Sequence, residues 1–231
     1  MKNITYDQIA KNTVKAENQL KNSKYITFEN PEGKGLRVLF VGNSITRHGV
    51  APEIGWYNDC GMAASSKDKD YVHQLIAKIN GIKEDAVYCI CHASAWEREF
   101  KEGTDKLQHV FQSAYDFNAD VIIFRLIENC RFQNSEAEVF KSELCKFLAC
   151  LNPTGKAQVI LTTSFWHHPG DEVIREFARE NNIAVAELGD LGELDEMKAI
   201  GLFEHAGVAN HPGNLGMQKI AERIFEKIKF Q

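Results

Sequence analysis

The sequence predicts an α/β protein, a three-layer α/β/α sandwich built on a parallel sheet of about five strands. Three observations carry this expectation. Short apolar runs recur at residues 38–41, 86–91, 121–124, 157–163 and 183–186, and runs of this length suit strands covered on both faces. Amphipathic segments of helical spacing lie between them, and strand–helix–strand connections of that kind build right-handed parallel units. No internal repeat, low-complexity tract or linker rich in Pro, Gly and Ser interrupts the pattern.

Taken in order, residues 6–22 scatter Ile9, Val14 and Leu20 among polar side chains and predict a surface helix, and residues 24–28 predict a short strand. The segment Pro31-Glu-Gly-Lys-Gly35 is a turn. Residues 1–35 are therefore expected to form an extension packed on a main domain of residues 36–231. Val38, Leu39, Phe40 and Val41 form the central strand, and Gly42-Asn43-Ser44 stops it. A glycine there lets the chain turn sharply where a side chain would clash, which delivers the Ser44 hydroxyl just past the carboxyl end of the strand. That edge of an open α/β sheet is where ligands bind.

The long polar stretch that follows contains Trp56 and Tyr57, which either anchor the loop or line a cleft. Val72, Leu75, Ile76 and Ile79 share one face of a helix over 71–79, ended by Asn80-Gly81. After the strand at 86–91 a helix is expected over 96–115 in spite of Gly103. A strand at 121–124 precedes a helix over 135–151 that Asn152-Pro153 ends. The strand at 157–163, a helix over 171–180, the strand at 183–186 and a helix over 214–230 complete the chain.

With 231 residues, 44% of them hydrophobic, the chain is long enough to bury one full core. A net charge of -5 offers no basic excess for a phosphate backbone, so no nucleic-acid partner is expected. The polar start Met1-Lys-Asn-Ile-Thr-Tyr-Asp7 and the lack of a run long enough to cross a bilayer predict a soluble cytoplasmic protein with no membrane partner. Several of the six cysteines fall in apolar runs, as free thiols in a reducing compartment do. Neither Cys89-Ile-Cys91 nor the adjacent His167-His168 has the spacing of a metal site, and no metal is expected. The turn after Val41 lacks the glycine patterns of phosphate and dinucleotide loops, so no cofactor is assigned. A flavin protein is the lesser alternative, because a Ser/Thr/Asn loop after the first strand can cradle a phosphate.

Gly42-Asn43-Ser44-Ile45-Thr46 resembles the first sequence block of the SGNH hydrolases, the GDSL-type esterases and lipases, whose fold is flavodoxin-like. Arg125-Leu-Ile-Glu-Asn129 is similar to the third block, with Ile127 in place of its glycine and Cys130 in place of its aspartate. Gly207-Val-Ala-Asn-His211-Pro212-Gly213 resembles the fifth. Ser44, Asn129 and His211 thus follow the family's order across most of the chain. The resemblance implies a serine esterase acting on a short acyl group, such as acetyl on a carbohydrate. It makes Ser44 the nucleophile, His211 the general base and acid, and the Ser44 N–H and Asn129 side chain the oxyanion donors.

Two departures stand out. The second block's glycine is missing from Cys91-His-Ala-Ser-Ala-Trp96, which leaves Ala95 or a neighbour to supply a further N–H. Val208 occupies the place of the acid expected three residues before the histidine. Glu204 is the candidate for a displaced acid, with Asp190 next; otherwise a backbone carbonyl orients His211 and the site is a Ser–His dyad. Arg47, His48 and Trp96 are the expected substrate contacts, for an anionic or sugar-like ligand. The alternative function is a ligand-binding protein that keeps the fold without turnover, and the oligomeric state is left open.

Overall fold

Alternation along one strand sets the layers. The computed structural model describes residues 22–131 and 133–230. In it β2 (Arg37–Gly42) buries Val38, Leu39, Phe40 and Val41 completely. Because successive side chains of a strand point to opposite faces, Leu39 and Val41 enter one core while Val38 and Phe40 enter another. The neighbours obey the same parity. From β3 (Val87–His92) and β4 (Val121–Arg125), Cys89, Cys91, Ile122 and Phe124 join Leu39, whereas Tyr88, Ile90, Val121 and Ile123 join Phe40. Runs that lack hydrophobic alternation are what a sheet covered on both faces requires.

Helices supply the covers. On the Phe40 side lie α1 (Tyr71–Asn80) and the long C-terminal helix (Asn214–Phe225), through Tyr71, Leu75 and Ile79 of the first and Met217, Ile220 and Ile224 of the second. The Leu39 side is covered by α2 (Ser94–Glu99), α3 (Gln108–Tyr115), α4 (Ala137–Leu151) and α5 (Asp171–Glu180). A single turn, α6 (Ala206–Ala209), precedes that C-terminal helix, which is therefore α7. The expected helix over 96–115 is broken: Gly103, at φ 99°, separates α2 from α3, with short 3-10 turns at Phe100–Glu102 and Thr104–Leu107 on either side. Only glycine adopts that conformation readily, so it ends a helix that the apolar spacing would carry through.

The remaining strands are β1 (Ile26–Glu29), β5 (Gln158–Thr162) and β6 (Ala184–Ala186), in the order β1-β3-β2-β4-β5-β6. The five strands from β2 to β6 are parallel, as expected. A sixth, β1, is added antiparallel along β3 from within the segment read as an extension. The helix expected over 6–22 lies almost wholly outside the described residues. Chain order steps from β2 to β3 on one side and on to β4 at the other, so the sheet's switch point falls at the carboxyl end of β2. Ligand crevices form there because the flanking connections leave in opposite directions.

Gly42 is required at this point by space and not by its dihedral angles. A Cβ on it would overlap the Thr46 side chain, whose hydroxyl meets the Tyr71 phenol at 2.7 Å. The sharp-turn role expected of Gly42 is thus replaced by close approach, and no positive φ occurs there. Gly42→Ala is expected to destabilise the fold by about 1–3 kcal/mol, read as a lower denaturant midpoint at unchanged slope.

The edge strand is clamped by charge. Glu29, at its end, lies 2.5 Å from Lys67 Nζ and 3.7 Å from His73 Nε2, while the other ring nitrogen of His73 meets Asp70 at 2.7 Å. His73, with Lys67 after it, holds the Glu29 carboxyl down to about 2 from its ordinary 4.5. For His73, burial opposes the charge, but Asp70 and Glu29 outweigh it and hold the pKa above its ordinary 6.5. Stability from a lowered acid is full above the unfolded value and fades as pH falls towards the folded one; stability from a raised histidine is full below its unfolded value and fades as pH rises. The clamp is therefore strongest between pH 4.5 and 6.5. Glu29→Gln is expected to lower Tm by about 1–3 °C in that window. The difference from the parent should shrink at pH 2.5 and at pH 9, measured by thermal scans.

Candidate active site

Ser44 and His211, 167 residues apart, meet at the switch point: Ser44 Oγ lies 2.8 Å from His211 Nε2. The serine arrives there because β2 ends at Gly42, and the next three residues form a tight turn in which Asn43 O accepts from Thr46 N and Arg47 N, each at 3.0 Å. The histidine arrives from the other direction. His205 Nδ1 accepts from Val208 N at 3.3 Å and so caps α6, which turns the Gly207 carbonyl back on the ring of His211. His211 Nδ1 donates to that carbonyl at 2.6 Å. Fixing the proton on Nδ1 leaves Nε2 as the acceptor of the Ser44 O–H. Trp166 holds the ring from the side, edge-on at 5.2 Å between centroids, while its own Nε1 donates to Asn210 O at 3.1 Å.

Burial pushes the His211 pKa down to about 4, and the Gly207 carbonyl resists only in part. The imidazole is consequently neutral at pH 7, the form that can take a proton. Among the described residues a backbone carbonyl, not a carboxylate, orients it. Val208, at the position where an acid was expected, is fully buried with Trp56, Cys60 and Ala199 in a small apolar cluster. An acid there would be stranded in an apolar site, which is costly without partners. Glu204 is exposed and is not the group on His211 Nδ1, so the expectation of a displaced acid is corrected in favour of the carbonyl. Asp190 is paired with Arg223.

Beneath the serine lies a buried polar network. Arg125, wholly buried at the end of β4, donates to Asn43 Oδ1 at 2.9 Å and to Glu128 Oε1. Asn43 Nδ2 donates to Glu128 Oε2 at 2.7 Å and to Glu97 Oε1 at 3.1 Å. Glu97, wholly buried on α2, also accepts from Ile127 N at 2.7 Å and from Asn129 N at 3.3 Å through Oε1, and from Asn129 Nδ2 at 2.6 Å through Oε2. Burial first and Glu128 second push the Glu97 carboxyl up, and its amide donors pull it back. One carboxylate thus ties the residue before Ser44 to Asn129. One of the two Asn129 amide hydrogens is used on Glu97, which leaves the other available.

The other expected contacts divide. Ala95 lies in the first turn of α2, where N–H groups have no intrahelical acceptor, and the start of that helix is tied to the end of β2 by Ala93 N donating to Gly42 O at 2.6 Å. His48 stays at the rim, half-buried, with its ring 6.1 Å from that of His92. Arg47 is committed elsewhere: its guanidinium meets Asp59 at 2.8 and 2.9 Å and Lys24 O at 3.1 Å. Trp96 is wholly buried among Phe100, Phe124, Phe140 and Phe147, with centroids 5.1–6.1 Å away, and its Nε1 donates to Thr104. Neither Arg47 nor Trp96 is placed to touch a substrate. The aromatic of α2 faces inward because the helical period turns it onto the sheet.

His167 and His168 do not form a pair of ligands: His168 Nε2 donates to Cys130 O at 3.1 Å and Nδ1 accepts from Gly170 N at 3.0 Å. All six cysteines are free. Among the described residues no helix is long and apolar enough to cross a membrane.

No protein-family model matches the sequence, and no curated protein matches it. Solved structures do. A two-domain esterase active on acetylated mannans, co-crystallized with mannopentaose, superposes with a TM-score of 0.56 at 14% identity over 83% of this chain and 48% of its own. A family two carbohydrate esterase from Clostridium thermocellum, in complex with cellohexaose, gives 0.55 at 14% identity over 84% of this chain and 63% of that one. A GDSL-like lipase from Parabacteroides merdae gives 0.51 at 16% identity over 83% and 94%. The chain thus spans about half the length of the mannan esterase. Its mixed sheet, its helices on both faces and these neighbours give it the fold of the SGNH, or GDSL-type, hydrolases.

Proposed function

We propose that this protein is a serine esterase that hydrolyses a carboxylic ester of short acyl chain, such as acetyl on a carbohydrate, through an acyl-enzyme on Ser44. The observation that carries the reading is the 2.8 Å contact of Ser44 Oγ with an imidazole whose other nitrogen is fixed on a backbone carbonyl. In the first step the hydroxyl proton passes to His211 Nε2 as Ser44 Oγ bonds to the ester carbon. The carbonyl oxygen takes the negative charge. Donors for it are the Ser44 N–H, the free amide hydrogen of Asn129 and the N–H of Ala95, each worth roughly 2.7–4 kcal/mol to the transition state. His211 then gives its proton to the alcohol oxygen as the ester bond breaks. Water, deprotonated by the same nitrogen, releases the acid and restores the serine.

A carbonyl in place of a carboxylate fixes the tautomer of His211 but offers the imidazolium only a dipole. Moderate turnover is the expectation. The complexes of the two structural neighbours with mannopentaose and cellohexaose support a sugar ester as the substrate class. The free thiols support a reducing compartment, the cytoplasm. We assign the chemistry to residues 36–231, with β1 as the part of the N-terminal segment that completes the sheet edge.

A fluorophosphonate probe is expected to add one label, located by mass spectrometry at Ser44, and Ser44→Ala should abolish both the label and hydrolysis of p-nitrophenyl acetate. Labelling elsewhere, or undiminished hydrolysis by that variant, removes the reading. The base must be neutral, so kcat/KM is expected to be flat from pH 6 to 8 and to fall by half near pH 4, the value to which burial lowers His211. A midpoint near 6.5 in the pH profile would contradict this.

Glu97→Gln places an amide against the donors of Ile127 and Asn129. We expect kcat to fall about 10–100-fold with KM little changed. The loss should fail to add to that of Asn129→Ala in a double-mutant cycle, because both act on one oxyanion donor. Additive losses would show that Glu97 acts on stability alone.

A further inference from the structure

A cleft of about 370 Å³ opens beside Asn129, lined by Arg98, Glu128, Asn129 and Arg131. Asn129 belongs to the proposed oxyanion site as well, and Glu128 meets Asn43 beside Ser44, so the cleft adjoins that site. Of its two charged types, only the arginines face outward unspent. Glu128 is turned inward onto Arg125, Asn43 and the N–H of Phe165. Arg98 donates to the neutral Ser94 hydroxyl at 3.0 Å, and Arg131 is exposed; among the described residues neither is ion-paired. What sets Arg98 and Arg131 apart is that the same cleft holds them both, beside Asn129.

The charge of Arg98 is also felt at the carboxyl edge of the sheet. His92 ends β3 next to Gly42 in register. Its pKa is pushed down to about 4, by burial first and then by His48, Arg47, Arg98 and Lys24. On a chain of net charge -5, the cleft thus carries two guanidinium groups with no ion pair among the described residues. Such a local field draws anions in, and a guanidinium fork matches the two oxygens of a carboxylate.

We propose that the substrate ester carries a carboxylate, seated between Arg98 and Arg131 while its acyl carbon lies at Ser44. This rests on the esterase reading above. Two positions on the substrate satisfy the chemistry: an acid on the sugar, as in an acetylated uronate, or an acid on the acyl group, as in a hemisuccinate. Separate ligands distinguish them.

The test titrates the full-length Ser44→Ala protein calorimetrically with three ligands: acetylated methyl glucuronoside, hemisuccinylated methyl glucoside and acetylated methyl glucoside. One of the two acidic ligands is expected to bind about tenfold more tightly than the neutral one at low salt, and the advantage should shrink as ionic strength rises. Adding Arg98→Gln and Arg131→Gln together should abolish the advantage, and Arg131→Glu should reverse it. A folding defect would scale the three ligands alike, so their ratio reports the arginines. Equal binding of all three, no detectable binding by any, or an acid preference that survives the double substitution would overturn the proposal. Turnover of p-nitrophenyl acetate by the parent protein is read separately. Turnover with no acid preference ends this inference and leaves the esterase standing, whereas acid-selective binding without turnover does the reverse.

Discussion

The site depends on charge that the fold has buried and then matched. Arg125 sits wholly inside the protein at the end of β4, where its two terminal nitrogens donate to Asn43 and Glu128 and its Nε has no partner among the described residues. Leaving one member of such a group unpaired costs about 3–5 kcal/mol, so the three side chains have few alternative arrangements. What they hold is the chain on both sides of Ser44's turn. Asn43 is the residue before the serine, and Glu128 is the residue before Asn129. The turn after β2 and the loop after β4 are thereby registered to one another, although 82 residues separate Arg125 from Asn43 in the chain.

The histidine is positioned by a different principle. Where the serine's loop is fixed by buried charge, the histidine's is fixed by backbone. α6 is a single turn, its capping group is another histidine, and its product is one carbonyl pointing at Nδ1. Val208, three residues before His211, goes into the apolar cluster with Trp56, and that packing is what holds the turn down. An acid at Val208 would be stranded among Trp56, Cys60 and Ala199 and would lose the packing that holds the turn down. The low pKa of His211 follows from the same burial.

The sheet was legible in the sequence because its signal is local. Continuous apolar runs such as 38–41 and 121–124 report strands covered twice, and the five parallel strands lie within a residue or two of the expected ones. That Ser44 and His211 meet was legible through two short motifs, one after the central strand and one before the last helix. Glu97, Arg125 and Glu128 were not, since a buried ionic network has no period: each residue reads singly as an ordinary surface charge. A charged residue directly continuing an apolar strand, as Arg125 continues Phe124, is the one hint the sequence offered. Trp96 misled for the opposite reason. It lies near the motif in sequence, but helical geometry turns it into the core.

The balance of sign in the site explains why its supports extend beyond it. If Glu97 and Glu128 are both ionised against Arg125, the interior under Ser44 carries one excess negative charge, the wrong sign for the oxyanion proposed there. The four donor contacts to Glu97 disperse that charge and fix the Asn129 amide, so Glu97 contributes orientation at some electrostatic cost. Burial and Glu128 raise its pKa and lessen the same cost. Arg98 and Arg131, in the cleft beside Asn129, oppose the interior charge from the solvent side. The polarity of the site is thus set by two layers: a matched, immobile one that holds the geometry, and an outer one free to meet a ligand.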